Sequence, residues 1–185
     1  MISDRNLIPE FLNDKGLTGY GAEVGVFRAE FSINLLSRWN GKKLYLIDAW
    51  RYIPSTKRDT SNVDHNGHLN NMARTFMEVY PYDTKACLIR ELSTEAAKLF
   101  NDSFFDFVYL DAAHDYQSVL ADLEAWTPKV KRDGYVFGHD YLNLTYEQSG
   151  YADFEVKKAA DDYAKMHGYD INVIEDPFPT FYFLK

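Results

Sequence analysis

Apolar residues along the 185-residue chain fall into short continuous runs that alternate with stripes of helical period. After a short amphipathic start, residues 20–26 read as a buried strand. Residues 30–39 follow as a helix with Phe31, Leu35, Leu36 and Trp39 on one side. Asn40 and Gly41 end that helix, and residues 43–48 form a second apolar run that stops at an acid, Asp48. The polar stretch 51–71 has no usable period, which fits either a functional lid or a disordered insertion. A helix over 72–80 leads to a strand over 85–89, and Ser93 is placed to cap a helix running to Phe100. Residues 104–110 are the clearest strand, apolar except for Asp106 and ending at Asp111. The next helix carries Tyr116, Val119, Leu120, Leu123 and Trp126 on one face. Pro128 and Gly134 bracket a turn into a strand over 135–137.

The last helix sets Val156, Ala159, Ala160, Tyr163 and Met166 on one stripe, with Gly168 just beyond it. Two strand-like runs, 171–174 and 180–184, are then separated only by two acids and a Pro-Phe-Pro turn, so they form a hairpin. Strands alternating with helices predict an α/β protein with a mostly parallel sheet, to which the hairpin adds an antiparallel strand. No repeat or second domain interrupts the pattern, so residues 1–185 are expected to be one domain, as the length allows.

Composition narrows the classes. Apolar residues make up 46% and charged residues 26%, which speaks against disorder, and no run approaches the roughly 18 residues of a membrane span. Asp4, Arg5, Pro9 and Glu10 break up any signal-like stretch, so a cytoplasmic location without membrane attachment is the default expectation. The lone Cys87 cannot form an internal disulfide and suits a buried small hydrophobe. A net charge of −8 opposes a nucleic-acid partner, and the cluster Lys129, Lys131 and Arg132 precedes a strand, where a solvated turn is expected.

The first chemistry-bearing segment is the strand-to-helix turn Glu23-Val24-Gly25-Val26-Phe27-Arg28-Ala29. Gly25 lets a ligand approach the backbone, and Asp48 at the end of the next strand could accept the two hydroxyls of a ribose. A pyrophosphate cradle needs further glycines where Phe27 and Ala29 stand. Glu23 also disfavours an anion and suits a cofactor bearing a sulfonium and an ammonium. Charge and shape therefore favour S-adenosylmethionine over a nicotinamide dinucleotide.

The stretches Gly21-Ala22-Glu23-Val24-Gly25-Val26-Phe27, Leu46-Ile47-Asp48-Ala49-Trp50, residues 105–116 and Gly138-His139-Asp140-Tyr141 resemble the class I S-adenosylmethionine methyltransferases. Within that class they are most similar to the small-molecule branch that includes metal-dependent sugar and macrolide O-methyltransferases. The resemblance runs through nearly the whole chain and implies a Rossmann-like three-layer sandwich with a seven-stranded sheet whose last strand is reversed. It also implies that Glu23, Gly25 and Asp48 contact the cofactor, with Trp50 and Ser93 flanking the adenine.

A second constellation, Asp111, His114, His139 and Asp140, follows the predicted carboxyl ends of two strands, where open α/β sheets bind ligands. Carboxylates converging there could hold a cation such as Mg²⁺ with a substrate diol among its ligands, and His114 could remove a proton near neutral pH. The resemblance implies these same roles for Asp111, Asp140 and His114. His139 stands where the metal-dependent relatives are expected to carry a carboxylate, and imidazole prefers softer ions than Mg²⁺; with it the candidate metal set is Asp111, His139 and Asp140. Bland readings stand beside these: Asp111 as a helix cap or a partner of the cofactor's ammonium, His139 and Asp140 bonded to loop backbone, and His114 as a structural histidine.

His65 and His68 are spaced for a metal but lack acidic partners in a firm pattern. Tyr141, Tyr146, Tyr151 and Phe154 would line an acceptor pocket or cover the sheet edge. The expected reaction is methyl transfer to a hydroxyl of a small-molecule or sugar acceptor, with no nucleic acid involved. A homo-oligomer is compatible with the chain. The rivals are a nucleotide-dependent oxidoreductase on the same layered fold and an inactive binding module.

Overall fold

A computed structural model describes residues 2–54 and 58–185. In chain order the elements are α1 (Ile8–Asp14), β1 (Tyr20–Val24), α2 (Glu30–Arg38), β2 (Lys43–Asp48), α3 (His65–Val79), β3 (Ala86–Arg90), α4 (Ser93–Ala97) and β4 (Phe105–Leu110). They continue with α5 (Tyr116–Trp126), β5 (Val130–Gly138), α6 (Tyr146–Ser149), α7 (Val156–His167), β6 (Asn172–Ile174) and β7 (Thr180–Leu184). The strands form one seven-stranded sheet in the order β3-β2-β1-β4-β5-β7-β6. β1 to β5 run parallel, and β7 lies antiparallel to both β5 and β6, so the expected three-layer architecture with a reversed terminal hairpin is what the chain adopts.

Side chains that alternate along each strand feed two cores. Val108 and Leu110 pack with Ala96, Ala97, Val119, Leu123, Trp126, Ala159 and Ala160 on the α4/α5/α7 face. Phe107 and Tyr109 point the other way, to Ile8, Leu12, Phe31, Leu35 and Val79 on the α1/α2/α3 face. β4, buried along its whole length, is the sheet's centre. Its one charge, Asp106, is matched: the carboxylate accepts from the Gly19 amide and pairs with Lys131 Nζ at 2.5 Å.

Several boundaries differ from the sequence expectation for identifiable reasons. β1 stops at Val24 because the chain turns at Gly25. The final part of the aperiodic stretch 51–71 is helical, since Asp64 caps α3 by accepting from the Gly67 amide at 2.8 Å and its first turns are largely solvated. The expected turn between Pro128 and Gly134 is instead an irregularity inside β5, where the register slips between Phe105 and Phe107 and Asp133 takes a φ of 64°. Lys129 and Lys131 are there paired with Asp102 and Asp106 rather than free in a solvated turn. Cys87 is only half-buried because β3 is an edge strand. Burial on α7 ends at Ala164, leaving Met166 73% exposed. Ser93 does not cap α4; its hydroxyl bonds Asp122 and accepts from Trp126 Nε1 at 2.9 Å. Among the described residues no helix is long and apolar enough to cross a membrane.

Phe107 is fully buried at the centre of the sheet, with its ring edge-on to Trp39 at 5.0 Å and against Gly21, where a Cβ would lie 2.3 Å from the ring. Phe107→Ala is expected to cost about 3–5 kcal/mol of folding free energy, read as a lowered denaturant midpoint at unchanged slope.

Candidate active site

Two loops meet at the carboxyl ends of β1 and β4. Gly25 has a φ of 92°, and a Cβ there would sit 1.9 Å from the Asp111 carbonyl oxygen. Only glycine permits both the conformation and the approach. Beyond it, Phe27 and Ala29 also take positive φ, at 51° and 65°. Asp48 holds this coil in place: its Oδ2 accepts from the amides of Val26 and Phe27 at 3.0 and 2.8 Å, and its Oδ1 from Trp50 at 2.7 Å. The Phe27 carbonyl in turn accepts from Trp50 Nε1 and the Thr75 hydroxyl, both at 3.0 Å. Among the described residues, four of the six non-glycine residues at positive φ (Phe27, Ala29, Trp50 and Asp140) flank the sheet's carboxyl edge. Strain of this kind collects where a surrounding network holds a site in shape.

Glu23 is 2% exposed and its Oε2 has no hydrogen-bond partner among the described residues. Burial lifts its pKa to about 8, with the Asp111 and Asp48 charges adding and Ser32 and Arg5 opposing. Trp50 is buried and committed to Phe27, and Ser93 to Asp122 and Trp126; each keeps its place beside the carboxyl edge with its polar atom in use.

The second constellation does converge. His139 Nδ1 lies 3.1 Å from Asp140 Oδ1 and 3.5 Å from Asp111 Oδ2, and one ligand atom from each of Asp111, His139 and Asp140 fits within a 4.8 Å span. His114 joins them with Nε2 3.0 Å from Asp140 Oδ2 and 4.0 Å from Asp111 Oδ1. Two residues that sequence reasoning missed complete the cluster. Asp59 Oδ2 is 2.9 Å from His114 Nδ1, and the Arg5 guanidinium reaches His139 Nε2 while lying 4.8 Å over the Phe31 ring. Burial alone would depress both imidazoles, but Asp140 and Asp59 carry His114 up to about 10, and Asp111 and Asp140 carry His139 to about 9. Asp140 is pushed down despite its burial by the same two histidines. His114 thus stands protonated in this cluster, well above the near-neutral value that its sequence position suggested.

The bland alternatives sort themselves. Asp115, not Asp111, caps α5 by accepting from the Ser118 amide. Phe154 is buried with its ring 5.0 Å from that of His114, whereas Tyr141 bonds Asp161 and Lys157 on α7 and Tyr151 is 57% exposed. Tyr146 stacks under Arg58. His65 is exposed and His68 faces Asn62 at 3.4 Å, so the two do not converge on a metal. A groove of about 440 Å³ opens next to the β2 terminus between α3 and β3, lined by Trp50, Met72, Phe76, Leu88 and Arg90 among others.

Residues 22–141 match the family model described as a methyltransferase domain, and the chain belongs to this family of class I S-adenosylmethionine-dependent methyltransferases. Solved structures agree in fold. A protein from Staphylococcus aureus assigned as a caffeoyl-CoA O-methyltransferase superposes with a TM-score of 0.68 at 17% identity, covering 100% of this chain and 86% of that one. One assigned as an rRNA methylase from Clostridium thermocellum gives 0.66 at 10% identity, covering 100% and 97%. An O-methyltransferase assignment from Klebsiella pneumoniae gives 0.65 at 10%, covering 97% and 79%. No curated protein matches the sequence.

The buried Glu23 makes a prediction of definite sign. Its folded pKa of about 8 exceeds the ordinary 4.5, so between these values the folded state holds the proton more tightly and stability falls as pH rises. Glu23→Gln removes that loss. Its melting temperature is expected to exceed the wild type's by a margin that opens between about pH 4.5 and 8 and is constant above, as thermal melts across that range would show.

Proposed function

We propose that the protein transfers the sulfonium methyl group of S-adenosylmethionine to a hydroxyl oxygen of a small acceptor. The observation that carries this reading is the backbone contact between Gly25 and Asp111, which sets the turn after β1, held by Asp48, directly against the Asp111–His114–Asp140 cluster. A donor on one side and an acceptor on the other would meet within reacting distance.

Glu23 and the amide-rich turn at Gly25 would face the methionine end of the cofactor, and Asp48 has a lone pair left after three amides to accept from a ribose hydroxyl. The acceptor oxygen attacks the methyl carbon as the carbon–sulfur bond breaks. The thioether leaves neutral and the hydroxyl proton must be taken up. Asp111 and Asp140 would orient the hydroxyl, and His114 Nε2, close to both, would take the hydroxyl proton after first releasing its own to solvent once Asp140 is engaged elsewhere. The donor set fits one divalent ion, with His139 favouring a softer ion such as Mn²⁺ over Mg²⁺. Held by Asp111, His139 and Asp140, such an ion would polarise the hydroxyl and offset Asp140's share of the charge that keeps His114 protonated, leaving that of Asp59.

The net charge of −8 and the acidic cluster argue for a small molecule rather than a nucleic acid, although rRNA methylase assignments occur among proteins of this fold. Family membership disfavours the oxidoreductase alternative. The test is calorimetric titration with S-adenosylmethionine, S-adenosylhomocysteine and NADH, with and without Mn²⁺ or Mg²⁺, followed by methyl transfer to a panel of vicinal diols. Binding of both sulfur nucleosides, absent for NADH and lost in Asp48→Ala, is expected. Binding without transfer to any diol would sink the O-methylation reading, and no binding would favour an inactive module.

A further inference from the structure

The stretch between β2 and α3 offers no periodic signal, yet it delivers a carboxylate into the cluster. Residues 58–60 are docked on the segment preceding α7: Asp59 forms an isolated antiparallel bridge with Ala152, the Thr60 amide donates to Tyr151 O at 2.9 Å, and the Asp153 amide donates to Arg58 O at 2.9 Å. Arg58 adds an ion pair to Glu147 and lies 4.5 Å over the Tyr146 ring. Within this strap the Asp59 carboxylate is oriented by its own neighbour. Oδ1 accepts from the Ser61 amide at 2.7 Å and its hydroxyl at 2.6 Å, which turns Oδ2 toward His114 Nδ1 at 2.9 Å. The imidazole is held on another side by the Phe154 ring. His114 Nε2, by contrast, is buried and has no hydrogen-bond partner among the described residues, although Asp140 lies close by.

We propose that Asp59 is a positioning residue for His114: it anchors Nδ1–H and thereby presents Nε2 to the acceptor side of the cluster. The inference rests on the methyl-transfer reading for its catalytic meaning, but its structural content stands apart from it. A carboxylate accepting from Nδ1–H fixes the ring's orientation and, when the imidazolium gives up a proton, makes Nδ1 the nitrogen that keeps one. Asn at this position would keep its oxygen on Ser61 and turn an NH₂ toward Nδ1, demanding the opposite tautomer.

The test compares wild type with Asp59→Asn and Asp59→Glu. Long-range ¹H–¹⁵N spectra of ¹⁵N-histidine protein at one fixed pH above about 10, where the ring carries a single proton, with His114→Gln to assign the ring, are expected to show a protonated Nδ1 in wild type and an unprotonated one in Asp59→Asn. Transfer to the probe diol 3,4-dihydroxybenzoate is expected to fall about 10²–10⁴-fold in kcat, with the KM for S-adenosylmethionine unchanged and part of the rate restored in Asp59→Glu. An unchanged Nδ1 signal in Asp59→Asn overturns the proposal. So does a loss of S-adenosylmethionine binding and melting temperature that parallels the loss of rate, which would make Asp59 a tie for the strap. A wild type that transfers no methyl group instead counts against the proposed function, while the Nδ1 signal still decides the role of Asp59.

Discussion

The approach of the Gly25 backbone to the Asp111 carbonyl is the constraint on which the rest of the site depends. With any side chain at position 25 the loops after β1 and β4 would be driven apart, since a Cβ would overlap the carbonyl oxygen outright. Because β1 is hydrogen-bonded to β2 on one side and β4 on the other, this contact fixes the spatial relation of Glu23, Asp48 and Asp111 together. Asp48 then works at two levels. Its carboxylate neutralises three amides that would otherwise be unpaired in a coil of positive φ, and only what remains of its accepting capacity is available to a ligand.

Charge within the second constellation is arranged around the same edge. Three carboxylates, Asp59, Asp111 and Asp140, face two histidines raised to about 9 and 10 and one guanidinium, Arg5. Most polar atoms of the cluster face one another, and His114 Nε2 is the buried one left without a hydrogen-bond partner among the described residues. Asp140, the buried carboxylate of the three, would otherwise be costly here, because removing its cation partners leaves it uncompensated.

Periodicity made the alternation of strands and helices and the terminal hairpin readable, because continuous apolar runs such as 104–110 and stripes such as Val119, Leu123 and Trp126 record burial directly. The ends of those strands then located Glu23, Asp48, Asp111 and Asp140, since position after a strand is a local property. Asp59 and Arg5 left no such mark. Each reaches the site across a long sequence separation from a segment whose own neighbours are polar, and only the tertiary pairing of residues 58–60 with 151–153 and of Arg5 with His139 reveals them. The irregularity in β5 was hidden for a related reason: a register slip belongs to a strand pair and cannot be seen in one strand alone. Ser93 does not cap because a capping hydroxyl must accept from a backbone N–H, and here its oxygen accepts from Trp126 Nε1 while its proton goes to Asp122.

The buried state of Glu23 also governs how ligand entry is felt by the solvent. Below about pH 8 the carboxyl is neutral, so a cation that comes to rest against it draws out the ionised form and expels a proton to the medium. Heat released on binding would then vary with the ionisation enthalpy of the buffer, and affinity would strengthen as the solution is made more alkaline toward that pKa.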